Sequence, residues 1–73
     1  MSPEKMIHMA NQIAIFFETH PREAALDGFA DHINRFWEPR MRRQLLDHLA
    51  AGGEGLRPLA IEAAARIRPP RAA

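Results

Sequence analysis

The chain has 73 residues, no cysteine and a formal net charge of +1. This length allows one small domain, whose core supplies only ~3–5 kcal/mol unless a disulfide, a metal or a partner adds to it. The lack of cysteine excludes disulfides, thiolate metal sites and thiol nucleophiles, and the near-neutral charge argues against nucleic-acid and membrane-surface binding.

Prolines mark the starts of four predicted helices, because a proline ring and its missing N–H are tolerated in the first helical turn. They are Pro3, Pro21, Pro39 and Pro58. The first helix is predicted at residues 3–18, with Ser2 as its N-cap and Glu4 near the positive end of its dipole. Its apolar stripe has the spacing of one helical face and consists of Met6, Met9, Ala10, Ile13, Phe16 and Phe17.

The second predicted helix repeats this spacing. Its stripe consists of Leu26, Phe29, Ala30, Ile33, Phe36 and Trp37. The repeat fits either an ancient duplication or two ordinary amphipathic helices, and we favour the second interpretation. Gly28 weakens this helix, which indicates either a late start or a close packing contact at that position.

Two shorter helices complete the predicted set. The third begins at Pro39 and ends at Gly52-Gly53, since glycine readily adopts the left-handed conformation that ends helices. Its stripe consists of Met41, Leu45 and Leu49. The fourth is predicted at residues 58–67 and buries Leu59, Ala63 and Ile67. Residues 68–73 contain two consecutive prolines and are predicted to form a flexible or docking tail.

No segment alternates apolar and polar residues as a strand does, so the predicted fold class is all-α. We expect a single helical domain at residues 1–67, in which an antiparallel helical hairpin is closed by two shorter helices. No apolar run reaches the roughly 20 residues of a membrane span, and the first residues lack the features of a signal peptide. We therefore expect a cytoplasmic protein.

The residue types that carry catalysis and metal binding form no coherent set in this sequence. Two histidines four positions apart could bind one metal, but no such pair occurs among His8, His20, His32 and His48. The glycines at positions 52, 53 and 55 follow a helix and lack the Lys-Ser/Thr of a phosphate-binding loop. We expect no catalytic, cofactor-binding or metal-binding residue on this chain, and no enzymatic activity of its own.

The segment F-W-E-P-R-M-R-R at residues 36–43 is rich in residue types that dominate protein interfaces. Trp37 fits either the core or an interface, and its place on the second stripe favours the core. Arg42 lies within an apolar arc of the third helix, so we expect it to extend to solvent or to meet a carboxylate of the second helix or of a partner.

Other candidates lie outside the stripes. Ile15 and Ile61 are apolar residues that project away from the predicted core, which together indicates docking. Arg43 can bind a partner or pair with Asp47 one turn later. The full set of partner-binding candidates is Ile15, Arg35, Trp37, Arg40, Arg42, Arg43 and Ile61.

Three stretches of the sequence are distinctive: M-A-N-Q-I-A-I-F-F at residues 9–17, A-D-H-I-N-R-F-W-E-P-R-M-R at residues 30–42 and A-G-G-E-G-L-R-P-L at residues 51–59. They resemble the delta subunit of the cytoplasmic NAD-dependent formate dehydrogenases. The strings N-Q-I-A-x-F-F and F-W-x-P-R-M-R carry most of the resemblance, which extends from Lys5 to about Ile67.

The resemblance implies an accessory subunit of a molybdenum- or tungsten-dependent complex that oxidises formate to carbon dioxide with NAD as acceptor. In such a complex the molybdopterin, iron–sulfur, FMN and NAD sites lie on other subunits. The delta subunit is implied to contact the catalytic alpha subunit and either to stabilise the assembly or to assist insertion of the molybdenum cofactor. The resemblance identifies no catalytic residue in this sequence.

An alternative function is a small helical nucleic-acid-binding protein. It would use a basic face formed by Arg35, Arg40, Arg42 and Arg43. Short helices joined by tight turns can present such a face, although the near-neutral charge argues against it.

Overall fold

A computed structural model describes residues 1–70, a range that contains helices and no strand. In chain order the elements are α1 (Pro3–Phe17), α2 (Arg22–Phe36), α3 (Pro39–Ala50), α4 (Pro58–Glu62) and a 3-10 helix (Ala63–Arg66). The all-α fold class is confirmed. Across this range, no helix has both the length and the apolar character needed to cross a bilayer. Residues 71–73 of the predicted tail lie outside the described part of the chain.

Local sequence explains where the helices begin and end. The Ser2 hydroxyl caps α1, because it accepts a hydrogen bond from the backbone N–H of Lys5 at 3.2 Å. Prolines stand in the first turn of α1, α3 and α4 as predicted, whereas Pro21 precedes α2 as its N-cap residue. Gly53, at φ +68°, follows the end of α3 and donates its N–H to the carbonyl of His48 at 2.9 Å.

The last helix is shorter than predicted. α4 ends at Glu62, and the chain tightens into the 3-10 helix instead of continuing as one α-helix over residues 58–67. Pro69 disfavours helical backbone in the residue before it, and Ile67 is already extended at φ −85° and ψ 125°. The predicted burial of Leu59, Ala63 and Ile67 is nevertheless confirmed.

The first two helices form the predicted antiparallel hairpin. Phe17 lies against Gly28, and Ile13, one turn earlier on α1, lines the same cavity as His32, one turn later on α2. α2 is the central helix, because it packs against α1 as well as against α4 and the 3-10 helix. α3 packs against α1.

The core is built around α2. Phe29 and Ile33 are fully enclosed, together with Met6 of α1 and Leu45 of α3. Trp37 is buried as well, which confirms the position that the sequence favoured. Much of the remaining core is alanine: Ala10, Ala14, Ala25, Ala30, Ala60 and Ala63. Small side chains at a contact allow two helix backbones to approach closely.

Two aromatic residues of the predicted stripes lie on the surface. Phe16 is 65% exposed and Phe36 is 71% exposed, so the prediction that both are buried is wrong. On α1, Ala14 takes the core position one turn after Ala10, which leaves Phe16 at the edge of the buried stripe. Phe36 is the last residue of α2 and lies at the edge of its stripe beside His32, although Trp37, the next residue, is buried.

Gly28 makes a close packing contact with Phe17, which confirms the second of the two interpretations of this glycine. A Cβ atom at this position would lie 2.5 Å from Cε1 of Phe17, so glycine leaves the room that the ring occupies. A late helix start is excluded, since α2 begins at Arg22.

Candidate partner-binding surfaces

Two asparagines attach the C-terminal segment to the hairpin. The Asn11 side chain donates to the carbonyl of Gly55 and accepts from the N–H of Arg57, each at 2.9 Å. The Asn34 side chain donates to the carbonyl of Arg66 at 3.1 Å and accepts from the N–H of Arg68 at 2.7 Å. Each amide therefore binds the carbonyl of one residue and the N–H of the residue two positions later.

Neither asparagine was among the residues singled out from the sequence. Asparagine is unfavourable inside a helix unless its side chain has a specific partner, and this was the available signal. Asn34 does stand on the polar side of α2, outside the buried stripe. Its partners are 32 and 34 positions away in the chain, so sequence spacing does not indicate them.

Ion pairs reinforce the same side of the molecule. Arg66 of the 3-10 helix contacts Asp27 at 2.6 Å and Glu23 at 3.1 Å, both on α2. Arg57 donates two hydrogen bonds to the Glu18 carboxylate, at 2.6 and 2.9 Å. These pairs are on the surface, where each contributes little, but together they join the last third of the chain to both long helices.

The Arg57 pair alters both ionisations. The hydrogen bond from Arg57 lowers the pKa of the Glu18 carboxyl below its ordinary value, and the same bond raises the pKa of Arg57. The pKa of Arg66 is raised by its hydrogen bonds, first to Asp27 and then to Glu23. In each case the charged forms are favoured, so these side chains stabilise the fold as ions and are not candidates for proton transfer.

Arg42 meets a backbone carbonyl, not the carboxylate of the second helix that the sequence suggested. Its Nη1 donates to the carbonyl oxygen of Asn34 at 3.3 Å, while its buried Nε has no hydrogen-bond partner among the described residues. Asn34 lies in the last turn of α2, where carbonyls lack helical N–H partners and carry the negative end of the dipole. Arg42 therefore caps the end of α2.

The other candidate arginines differ in their surroundings. Arg35 pairs with Asp31 at 3.1 Å, and Arg43 pairs with Asp47 at 3.6 Å as the sequence allowed. Arg40 is exposed and makes no ion pair within residues 1–70. The four arginines of the nucleic-acid hypothesis thus do not form one free basic face, because two are paired with carboxylates and Arg42 is directed at α2.

The two candidate isoleucines lie on separate helices. Ile15 of α1 is 47% exposed and is adjacent to Phe16. Ile61 of α4 is 44% exposed, and its side chain lies over Gly53 after the end of α3. Both remain candidates for partner contact.

A further apolar surface lies where α1 meets α2. A cavity of about 450 Å³ opens between the helices and is lined by Gln12, Ile13, Phe16, Phe17 and His32. The rings of Phe16 and Phe17 contact edge to face with centroids 4.9 Å apart, and Phe36 extends the surface because its ring centroid lies 4.9 Å from that of His32. We call this surface the hairpin groove, formed by Gln12, Ile13, Phe16, Phe17, His32 and Phe36.

The described residues offer no metal site. Within residues 1–70, no three histidine or carboxylate side chains lie close enough together to hold an ion. The described residues do provide exposed apolar side chains, and Arg40 is exposed without an ion pair among them; aromatic residues and arginine are both enriched at protein interfaces.

Comparison with known proteins gives one family. No curated protein sequence matches the chain. The sequence profile of the NADH-dependent formate dehydrogenase delta subunit, FdsD, matches residues 5–64, which is most of the 73 residues. This confirms the resemblance carried by residues 9–17, 30–42 and 51–59: the chain belongs to the family of formate dehydrogenase delta subunits.

Proposed function

We propose that this chain is a non-catalytic accessory subunit that docks on the catalytic alpha subunit of formate dehydrogenase. There it stabilises the assembly or assists insertion of the molybdenum cofactor. The observation that carries the proposal is the family match over residues 5–64. Under this proposal the complex is cytoplasmic, and its molybdopterin, iron–sulfur, FMN and NAD groups are held by other subunits.

The chemistry of the chain supports a non-catalytic role. It has no cysteine with which to bind an iron–sulfur cluster or a molybdenum thiolate. Its perturbed carboxyl, Glu18, is held ionised by Arg57 on the surface and not in a cavity that would raise its pKa for acid–base catalysis.

The physical character of the fold supports docking. A core of this size gives a marginal free energy of unfolding, and association with a larger subunit adds to it by mass action. The exposed rings of Phe16 and Phe36 supply apolar area that a partner would remove from water.

Affinity purification from cells that make the whole complex tests the proposal. The tagged chain should recover the alpha subunit in a stoichiometric complex that survives gel filtration. The control is the same tag on the chain with Phe29→Ala, which disrupts the fully buried core position. Failure of the wild-type chain to recover the alpha subunit would refute the proposal.

A second measurement separates the two roles. Complexes made without this chain should contain less molybdenum per alpha subunit if the chain assists cofactor insertion. If it only stabilises the assembly, the metal content is unchanged and the melting temperature falls. Adding the purified chain to such complexes should restore the melting temperature if the chain stabilises the assembly. It should not restore the molybdenum content of complexes that were assembled without the cofactor.

A further inference from the structure

Beyond its first turn, which contains Glu4 and Lys5, α1 carries no formal charge on its outward face. Residues 6–17 contain no Asp, Glu, Lys or Arg, although charged residues make up 26% of the chain. Part of this segment is in the core, but His8, Gln12, Ile15 and Phe16 are exposed. A helix that has solvent on its outer face usually places charged side chains there. The absence of charge therefore needs a reason other than folding.

Exposed aromatic rings lie on the same side of the hairpin. Phe16 and Phe36 are the most exposed large apolar residues of the described chain. Each adjoins another ring of the hairpin groove, Phe17 and His32 respectively. The centres of protein interfaces are depleted in charge and enriched in aromatic residues, and the hairpin groove has both properties.

We infer that the hairpin groove is the surface by which this chain binds its partner subunit, and that the occupant is an amphipathic helix with an uncharged apolar stripe. The inference rests on the proposed function, since it takes the partner to be a subunit of the complex. It adds the docking surface and the chemistry of the segment that fits it.

A helix fits this groove better than an extended strand. Both walls, α1 and α2, are helices whose backbone groups are already hydrogen-bonded, so they offer no edge for a strand. Gly28 lies against Phe17, and Phe36 is eight residues further along α2, or about 12 Å at 1.5 Å per residue. That distance matches two turns of a helix, whose residues i, i+3 or i+4, and i+7 would lie along the groove.

Charge defines the partner further. The uncharged segment is bounded by Lys5 at one end and Glu18 at the other, and Glu18 is already paired with Arg57. A charged side chain of the partner placed over this face would lose water and find no counterion. The absence of a Lys/Arg-rich border argues against an anionic lipid surface as the occupant.

Binding of variants to the formate dehydrogenase complex prepared without the delta chain tests the inference. Phe16→Ala and Phe36→Ala should each weaken binding about tenfold or more, and the double variant about 100-fold. Gln12→Glu, which places one carboxylate in the groove at nearly constant volume, should weaken binding at least as much as either ring deletion. Ile61→Ala tests the competing candidate surface: it removes an exposed apolar side chain from α4 and, if the hairpin groove is the docking surface, should leave affinity within about twofold.

Folding and other occupants are checked in parallel. Both rings are exposed, so circular dichroism and thermal melting of the ring variants should match the wild type. Sedimentation should show the free wild-type chain as a monomer, and it should not pellet with phosphatidylserine vesicles. The inference would be overturned if the wild-type chain formed a dimer or bound vesicles, and if the double ring variant lost that association but kept its affinity for the complex.

The possible failures are distinguishable. If the wild-type chain does not bind the complex, the proposed function is refuted, and a subunit of that complex is not the partner of the hairpin groove. Wild-type chain that binds, together with unchanged affinity of the ring variants, overturns only the docking surface. Loss of affinity in Ile61→Ala but not in the ring variants would assign docking to α4 instead.

Discussion

The two sides of α2 differ in how their side chains are satisfied. On the side toward α4 and the 3-10 helix, Glu23 and Asp27 bind Arg66, and Asn34 binds the backbone on either side of Ile67. On the side toward the hairpin groove, Phe36 is mostly exposed beside His32.

This difference separates a surface whose polar groups are already bonded within the chain from one that can still bind another protein. Polar groups that find partners within the chain leave little for another protein to bind. Apolar surface that stays in water can still gain free energy by being covered. α2 therefore closes its own fold with one side and, under our inference, presents the other to a partner.

The largest loss of stability is expected when a buried phenylalanine is removed, and only a small loss when an exposed phenylalanine of the hairpin groove is removed. Phe29→Ala should destabilise the domain by ~3–5 kcal/mol, because it empties a fully buried site. That loss is comparable to the whole stability of a domain this small, so the variant should be largely unfolded. Phe36→Ala should change the free energy of unfolding by less than ~0.5 kcal/mol. Urea titration followed by circular dichroism measures both free energies of unfolding. Equal losses of stability in the two variants would show that Phe36 is as much a part of the core as Phe29.

The next effect concerns the floor of the groove. Gly28→Ala places a Cβ against the Phe17 ring and should cost ~1–3 kcal/mol by overpacking, partly offset by about 1 kcal/mol of helix propensity. In a Phe17→Ala background the same change should be neutral or stabilising. The four chain versions form a double-mutant cycle, and the lack of coupling between the two sites would show that the close contact has no energetic role.

A smaller effect is expected from the polar side. Asn34→Ala removes two hydrogen bonds to the backbone of Arg66 and Arg68 and should cost ~1–2 kcal/mol. The control is Gln12→Ala, an exposed amide in the groove, which should stay within about 0.5 kcal/mol of the wild type. Amide hydrogen exchange should be faster in the 3-10 helix of the Asn34 variant only. Equal protection in both variants would mean that the asparagine does not hold this segment.

The smallest effect is a pH dependence on the same side. Because the folded chain lowers the pKa of Glu18, this pair contributes fully at neutral pH and loses its contribution as the pH falls below 4.5 through the folded pKa. Arg57→Met removes the cause, so its unfolding midpoint should fall less between pH 7 and pH 3 than that of the wild type. Parallel pH profiles would show that the pair is not formed in solution.

Periodicity predicted much of the fold because it reports on each helix alone. The helix starts, the buried positions of Phe29, Ile33 and Leu45, and the core position of Trp37 follow from local spacing and proline placement. The predicted stripes were wrong at Phe16 and Phe36, since the spacing within one helix does not show how much of a stripe's edge the neighbouring helices cover.

The candidate site could be predicted only in part. The family was evident from residues 9–17, 30–42 and 51–59, and the matching of residues 5–64 agrees with it. The exposure of Ile15 and Ile61 follows from their place off the stripes, whereas the hairpin groove depends on two helices at once. The hydrogen bond from Arg42 to the Asn34 carbonyl was not predicted, because every residue has a backbone carbonyl and the sequence does not show which one a distant side chain will meet.

The family, the first three helices and the lack of thiol ligands could all be derived from the sequence, because they depend on residue identity and on neighbours within a few positions. Contacts between the helices set which aromatic rings remain in water and which amides hold the C-terminal segment. Those properties arise from contacts between residues up to 46 positions apart, and local patterns carry no information about them.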